Sequence, residues 1–208
     1  MHCKTLNILR HLLLLGAAFI ALCLSGLVQA TEVIPPDFKT MVHRAEIIFQ
    51  GRVTNIRSEW SGEGNQRSIV TYVTFDVTRT LKGKPSSTYV LQMLGGTVDG
   101  QAMEIDGVPK FQVGDRTLLF VEHNGTQFFP VVGIMHGYFR VQADPQTGND
   151  IVFKYNGQPL QSTAEIDQDH EQAISPARST AAAAPATGGP MKISDFEAEI
   201  QRKAASNP

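Results

Sequence analysis

Alternation of apolar and polar residues marks one long segment of the chain, residues 69–81. The apolar positions carry odd numbers (Ile69, Val73, Phe75, Val77, Leu81), and the polar positions Thr74, Asp76, Thr78 and Thr80 lie between them. Because the side chains of a strand alternate between two faces, this pattern predicts a half-buried β-strand. The turn-forming residues 82–85 then end it.

A second strand is predicted at residues 46–56, where Gly51 inside the run predicts a bulge or a sharp bend. Shorter runs predict strands at 89–94, 117–121, 128–133, 138–141 and 151–155, a hairpin tip at 98–102 and a short helix at 36–45. Short strands separated by Gly- and Asn-containing turns favour an antiparallel barrel. We therefore predict an all-β fold, an antiparallel OB-like small barrel, for residues 31–160.

The first 30 residues have the pattern of a secretory signal peptide. Lys4 and Arg10 precede an apolar run, and the small-residue site Val28-Gln29-Ala30 follows it. The apolar run is shorter than the span of about 20 residues that a membrane helix needs. We predict cleavage after Ala30, export to the periplasm or the exterior, and no membrane span after the signal is removed.

The composition changes after Leu160. Residues 161–190 contain an alanine run and a Gly-Gly-Pro turn and few aromatic or β-branched residues, which predicts a flexible linker. Residues 191–204 predict a short amphipathic helix with Ser194 and Glu197 as a capping box and an apolar stripe of Ile193, Phe196 and Ile200. So short a helix needs a docking surface, either on its own barrel or on a partner.

Charge and cysteine content narrow the function classes. The 208 residues carry a formal net charge of -2, and removing the signal peptide with its two basic residues makes the rest more acidic. That balance argues against nucleic acid as a partner. Both cysteines, Cys3 and Cys23, lie in the signal peptide, so no disulfide framework is expected.

Three segments carry a family resemblance: residues 44–53 (RAEIIFQGRV), residues 77–83 (VTRTLKG) and residues 114–120 (GDRTLLF). In this order they resemble the OB-fold domain of tissue inhibitors of metalloproteinases and netrin-like modules. They are also similar to a group of uncharacterised exported bacterial proteins. The resemblance covers residues 42–141 and implies a barrel that binds a protein or a ligand, by analogy a secreted protease.

The chain departs from that family where the inhibitors act. They chelate a catalytic zinc ion through an N-terminal cysteine, whereas the predicted mature chain begins Thr31-Glu32-Val33. The zinc-chelating mechanism therefore does not carry over.

No catalytic motif is evident. The sequence has no Gly-x-Ser-x-Gly elbow, no P-loop and no completed dinucleotide-binding motif. His123 and His136 could meet across one end of the barrel and hold a metal, although two solvated or locally bonded loop histidines are the simpler interpretation. We expect no enzyme activity, no cofactor and no bound metal.

Candidate partner-binding residues are Trp60, Arg57, Phe128, Phe129 and His136. Trp60 is the only tryptophan and is predicted to lie in a Gly-rich loop, either displayed as an anchor or folded back over the barrel end. Phe128 and Phe129 point to opposite faces if they form a strand. His136 lies in a predicted turn and is a possible pH-sensitive group.

These observations predict an exported, non-enzymatic binding or inhibitor-like module that acts on a protein partner. The alternatives are a structural or assembly protein of the envelope, or a metal-dependent enzyme that uses His123 and His136.

Overall fold

The computed structural model describes residues 33–175 and 189–206. The predicted signal peptide and its cleavage site lie outside the described residues, and so do residues 176–188 of the predicted linker. The strands are β1 (Ile47–Ser61), β2 (Ser68–Lys82), β3 (Thr88–Leu94), β4 (Gly96–Val98), β5 (Gln101–Met103), β6 (Arg116–Val121), β7 (Tyr138–Ala143) and β8 (Asp150–Phe153). The helices are α1 (Phe38–Arg44), α2 (Ala164–Ile174) and α3 (Ile193–Ala205).

Six strands form one antiparallel sheet in the order β3-β2-β1-β6-β7-β8, and β4 and β5 form a separate hairpin. The prediction of antiparallel β structure is confirmed. The sheet has two ends, β3 and β8, which do not pair with each other, so closure into a barrel is not confirmed. Three helices also accompany the sheet, which is more helix than an all-β fold implies.

The two edges of the open sheet are each covered by other parts of the chain. The side-chain amide of Asn124 accepts from the backbone N–H of Gln92 (3.0 Å) and donates to the carbonyl of Val90 (2.8 Å) on β3. At the opposite edge, bridges join Phe153 to Pro159 and Ile151 to Lys192. These contacts satisfy edge groups that strand pairing would otherwise occupy.

The long hairpin β1–β2 departs from regular pairing where the sequence predicts it. The register between the two strands shifts between Gln50 and Gly51, and the predicted irregularity at Gly51 is confirmed. A Cβ at this position would lie 2.9 Å from the carbonyl oxygen of Asp76, closer than real Cβ atoms come to a neighbour. Glycine is therefore required by the close approach of β2.

One face of the sheet is covered by the three helices. The buried rings of Phe38, Phe120, Phe139 and Phe196 contact one another there, with centroids 4.8–6.2 Å apart. Phe196 and Ile200 of α3 are fully buried in this core. Of the two docking surfaces left open by the sequence, α3 therefore uses the body of its own chain.

The predicted capping box of α3 is wrong. Lys192 is the N-cap residue and makes no side-chain capping bond, and Ser194 bonds to Asp195 instead. Glu197 is buried, and its carboxylate pairs with Arg79 of β2 at 3.2 Å. The packing of Phe196 and Ile200 turns Glu197 toward the sheet, where it cannot reach back to the start of the helix.

The predicted linker overlaps helix α2. Ile166 is buried against the helix-covered core, and Asp167 accepts from the backbone N–H of Phe38 at 2.8 Å. These two tertiary contacts order a segment whose local composition alone predicts flexibility.

Two further boundaries differ from the prediction. Residues 57–61 are not loop but the continuation of β1, because each pairs with a residue of β2 as far as Ser61 opposite Ser68. Residues 128–133 are not a strand, and only Val131 forms a bridge, with Val121. Pro130, which has no N–H, interrupts the run and Gly133 has a φ of +64°.

Candidate functional site

The second face of the sheet carries the other hydrophobic core, and residues 104–111 cross it as an irregular segment. We call these residues the cover segment. Phe111 anchors it, with its ring edge-on to Phe75 (5.5 Å) and to Tyr138 (5.1 Å). Val108 also packs against this core. A single segment of chain covers this face and leaves space beside it. On the other face of the sheet, helices fill the corresponding space.

A cavity of about 300 Å³ lies between the cover segment, the β4–β5 hairpin and strands β1–β3, and we call it the hairpin cavity. Its apolar wall includes Ile56, Val73, Met93, Val108 and Phe111. Val73 and Met93 belong to the buried core, so the cavity is a place where that core opens to solvent. Its volume is at the lower end of the range for ligand-binding pockets.

Two hydroxyl groups from strands β1 and β2 contribute to the polar part of the cavity wall. Thr71 Oγ1 donates to the carbonyl of Gly95 at 2.6 Å and lies 2.8 Å from Ser58 Oγ. Since a hydroxyl has one hydrogen, Ser58 donates to Thr71, and the Ser58 oxygen keeps capacity to accept. A Cβ at Gly96 would overlap both hydroxyls, so this residue must be glycine for the backbone to pass so close.

Trp60 lies on the cavity side of the β1–β2 hairpin. Ile56, Ser58 and Trp60 pair with Val73, Thr71 and Ile69, and alternation places all six side chains on one face. Trp60 is half-buried, and the guanidinium carbon of Arg67 lies 4.4 Å from the centre of its ring. Neither of the two sequence alternatives holds entirely, because Trp60 is neither fully displayed nor folded into the core.

Arg57 lies on the opposite face of the same hairpin. It is exposed, forms an ion pair with Glu59, and its guanidinium carbon lies 4.8 Å from the centre of the Tyr72 ring. Trp60 and Arg57 therefore do not share a face, although they are only three residues apart.

Phe128 and Phe129 line a different groove, of about 450 Å³, together with Ile34 and Ile134. Phe128 is 67% exposed, and Phe129 is half-buried. The backbone carbonyl of Phe128 accepts from the N–H of Leu94, which lines the hairpin cavity, at 3.0 Å. This hydrogen bond joins a residue of the groove wall to a residue of the hairpin cavity wall at the end of β3.

The two histidines that the sequence pairs as metal ligands lie in different surroundings. His123 is beside Glu46 at 3.8 Å, whereas the His136 ring is edge-on to Tyr155 with centroids 4.9 Å apart. Burial lowers the pKa of His136, and Asp169 partly offsets this effect. Among residues 33–175 and 189–206, no group of three or more His, Cys, Asp or Glu residues is arranged to hold a metal ion.

The residues that form the hairpin cavity were not identified as a site from the sequence. Ile56, Met93 and Phe111 are far apart along the chain and have no local motif. In the cover segment, Gly107 and Pro109 interrupt the apolar residues, and no run of strand-like alternation marks it. A signal was present only in Thr71, a hydroxyl at an odd position of the alternating run 69–81, where an inward-facing side chain is predicted. Ser58 lies outside the predicted strand 46–56.

Comparison with protein-family models found no match, and comparison with curated protein sequences found none either. Within the part of the chain that the structure describes, no helix has the length and apolar character needed to cross a membrane. The cavities and the residues around them are therefore the basis for inferring a function.

Proposed function

We propose that the protein is an exported, non-enzymatic binding module that holds a protein partner against the hairpin cavity. The observation that carries the proposal is the position of Trp60 on the face of the β1–β2 hairpin from which Ser58 and Thr71 line a cavity of about 300 Å³. A pocket next to a tryptophan is the usual arrangement of an interface hot spot, in which one side chain is inserted and a neighbouring ring covers it.

The stacking of Arg67 on Trp60 favours recognition. Ordering a large side chain on binding costs conformational entropy, and a ring already held in place loses less of it. The guanidinium group also provides hydrogen-bond donors over the ring, and Arg and Trp are both common in interface hot spots. The Lys110–Glu104 ion pair, 3.7 Å long and exposed, supplies a polar rim to the same cavity.

The polar groups in the cavity favour binding over catalysis. A nucleophilic serine is activated by a base within hydrogen-bond distance. Ser58 is bonded instead to Thr71, whose own hydrogen is donated to Gly95. These hydroxyls are arranged to accept from a ligand rather than to attack one.

The proposal also includes an OB-like barrel as the fold, export as the destination, and a secreted protease as the partner. An OB-like barrel is supported by the pairing of β1 with both β2 and β6 and by the close contact of the 124–128 loop with β3. Export to the periplasm or the exterior is supported by the signal-like first 30 residues. A secreted protease as partner is supported by the family resemblance alone.

The alternative of an assembly protein depended on a free C-terminal helix. Since α3 buries Phe196 and Ile200 in its own chain, that apolar stripe is occupied and does not favour assembly.

The test is capture of a partner from the compartment into which the protein is exported. We expect the immobilised wild type to retain a discrete protein, and Trp60→Ala to lose at least about 10-fold in retained amount, as hot-spot truncation does. Phe128→Ala is the matched control, because it removes an exposed ring outside the cavity. Retention by Trp60→Ala and loss by Phe128→Ala would move the interface to the other groove and contradict the proposal.

A further inference from the structure

A second cavity, of about 490 Å³, lies on the other side of the cover segment, where residues 107–110 separate it from the hairpin cavity. Tyr138 and Arg140 of β7 form one wall, and Met135, Tyr155 and Lys110 complete it. Tyr138 and Arg140 are two residues apart on a strand, so their side chains share a face. We call this space the β7 cavity.

The phenol group of Tyr138 is buried without a hydrogen-bond partner. The residue is 4% exposed, and its hydroxyl has no partner among the described residues. Burial, together with the charge of Asp115, raises the pKa of Tyr138 to about 12. The group therefore stays protonated and keeps a hydrogen to donate.

Arg140 provides a second unused donor, in addition to the Tyr138 hydroxyl. Its Nε is buried and has no hydrogen-bond partner among the described residues. A buried donor that lacks a partner costs free energy in the folded state and calls for an explanation such as a ligand. The two residues that carry these donors are two positions apart on one strand, and both line the same cavity.

The charge of the cavity wall has one sign. Among the described residues that line it, Arg140 and Lys110 are cationic and none is an acid. Glu104 lies 3.7 Å from Lys110, but both of these side chains are highly exposed, so solvent screens the pair. The rest of the lining is apolar or aromatic, from Val108, Pro109, Met135 and Tyr155.

We propose that the β7 cavity binds the carboxylate of an organic acid that carries an apolar or aromatic group. The guanidinium group of Arg140 and the hydroxyl of Tyr138 donate to the carboxylate, and Met135 and Tyr155 cover the apolar part. A planar guanidinium matches a carboxylate in shape, and hydrogen bonds to an ionised acceptor are stronger than neutral ones. This site goes beyond the proposed function, since it lies outside the hairpin cavity.

The carboxylate has two possible sources, a free organic acid or the C-terminus of a polypeptide. Both present the same charged group next to an apolar one, and the test separates them. Because it uses purified protein without a partner, its failure leaves the proposal for the hairpin cavity untouched.

Calorimetric titration of the purified protein tests the site. One arm uses 3-phenylpropionate, and its neutral control is 3-phenylpropionamide. The other arm uses a short peptide ending in phenylalanine, with a free or an amidated C-terminus. We expect a dissociation constant of about 1 mM or tighter for at least one acid and at least about 10-fold weaker binding of its amide. Equal binding of acid and amide, or no binding of either acid, would overturn the proposal.

Three variants assign the binding to the cavity. Arg140→Gln is expected to weaken the acid by about 10-fold or more and Tyr138→Phe by about 3- to 10-fold. Arg202→Gln, an exposed arginine on α3, is the matched control and should bind like wild type. Wild-type affinity in folded Arg140→Gln protein would overturn the proposal.

The Tyr138→Phe variant has a second readout that a purely structural role would not give. Its hydroxyl has no partner within residues 33–175 and 189–206, so without ligand the urea midpoint should stay the same or rise while acid binding falls. A lower midpoint with unchanged acid binding would show that the hydroxyl serves the fold, and the proposal would fail.

Discussion

The two faces of the sheet are covered in different ways. On one face α1, α2 and α3 bury a continuous cluster that includes Phe120 and Phe139. On the other face the cover segment, residues 104–111, lies over a second core and leaves the hairpin cavity and the β7 cavity on its two sides. Helices fill space along their whole length, whereas one irregular segment anchored by the ring of Phe111 does not.

This difference suits the helix-covered face to stabilising the fold and the face under the cover segment to recognition. The helix-covered face presents few places for a ligand, because its largest side chains are fully buried against one another. The face under the cover segment keeps half-buried apolar side chains such as Ile56 and Phe111 next to unused polar groups such as the Tyr138 hydroxyl. We expect substitutions on the first face to act on the free energy of unfolding, and substitutions on the second to act on binding.

The largest effect is expected for Phe196→Ala. Phe196 is fully buried and contacts the rings of Phe38, Phe120 and Phe139, so its removal leaves a cavity in the aromatic cluster. We expect a loss of about 3–5 kcal/mol in the free energy of unfolding, measured by urea denaturation. A loss below about 1 kcal/mol would show that α3 is not part of this core.

A smaller loss is expected for Phe111→Ala on the second face. The ring is half-buried and anchors the cover segment to Phe75 and Tyr138. We expect about 1–3 kcal/mol in the same denaturation experiment. In addition, the amides of residues 104–111 should exchange faster with solvent than in wild type. Unchanged exchange would contradict the role of Phe111 as the anchor.

Trp60→Ala should cost still less, about 1 kcal/mol, because the ring is half-buried and its close neighbour is the exposed Arg67. The same variant is expected to lose partner retention at least about 10-fold. A loss of stability as large as that of Phe196→Ala would mean that Trp60 is a core residue. It would contradict the expectation that substitutions on this face act on binding rather than on stability.

The smallest effect concerns Glu197, a buried carboxylate on the helix-covered face. Burial raises its pKa and the charge of Arg79 partly opposes this, so the folded protein holds the proton more tightly than the unfolded chain. The protonated Glu197 carboxyl therefore contributes to the stability of the folded state at low pH, and this contribution is lost as the pH rises through the raised pKa. We expect Glu197→Gln to remove this loss and to be more stable than wild type at pH 7, by less than about 1 kcal/mol.

The matched control for the pH effect is Glu199→Gln on the same helix, where the carboxylate pairs with Arg202 near the surface. Denaturation midpoints between pH 4 and pH 7 check the sign. If the advantage of Glu197→Gln over wild type does not grow with pH, the account of Glu197 is wrong.

The strands with strong alternation could be predicted from the sequence. Where alternation is absent, the ends of a strand could not be predicted. β2 follows from Ile69, Val73 and Phe75, because burial of one face fixes their spacing. β1 continues past Ile56 because its residues pair with β2, and no local pattern in residues 57–61 shows this. Helix α2 likewise depends on the burial of Ile166 against residues far away in the chain.

The candidate site was predicted only in part. Trp60 stands out in the sequence as a single tryptophan, and the structure places it on the hairpin face from which Ser58 and Thr71 line the hairpin cavity. The cavity itself depends on how residues 104–111 cross the sheet, which is a tertiary arrangement without a local signal. The unused donors of Tyr138 and Arg140 follow from burial on β7, and burial of a particular polar atom cannot be predicted from alternation.

The most direct test of the central claim is site-specific photocrosslinking in cells that make the protein. A photoreactive phenylalanine derivative would replace Glu104 at the rim of the hairpin cavity or, as the control, the exposed Gln201 on the helix-covered side. We predict a crosslink to one discrete polypeptide from position 104, its loss when Trp60→Ala is added, and none from position 201. A crosslink of equal strength from position 201, or none from position 104, would contradict recognition through the face under the cover segment.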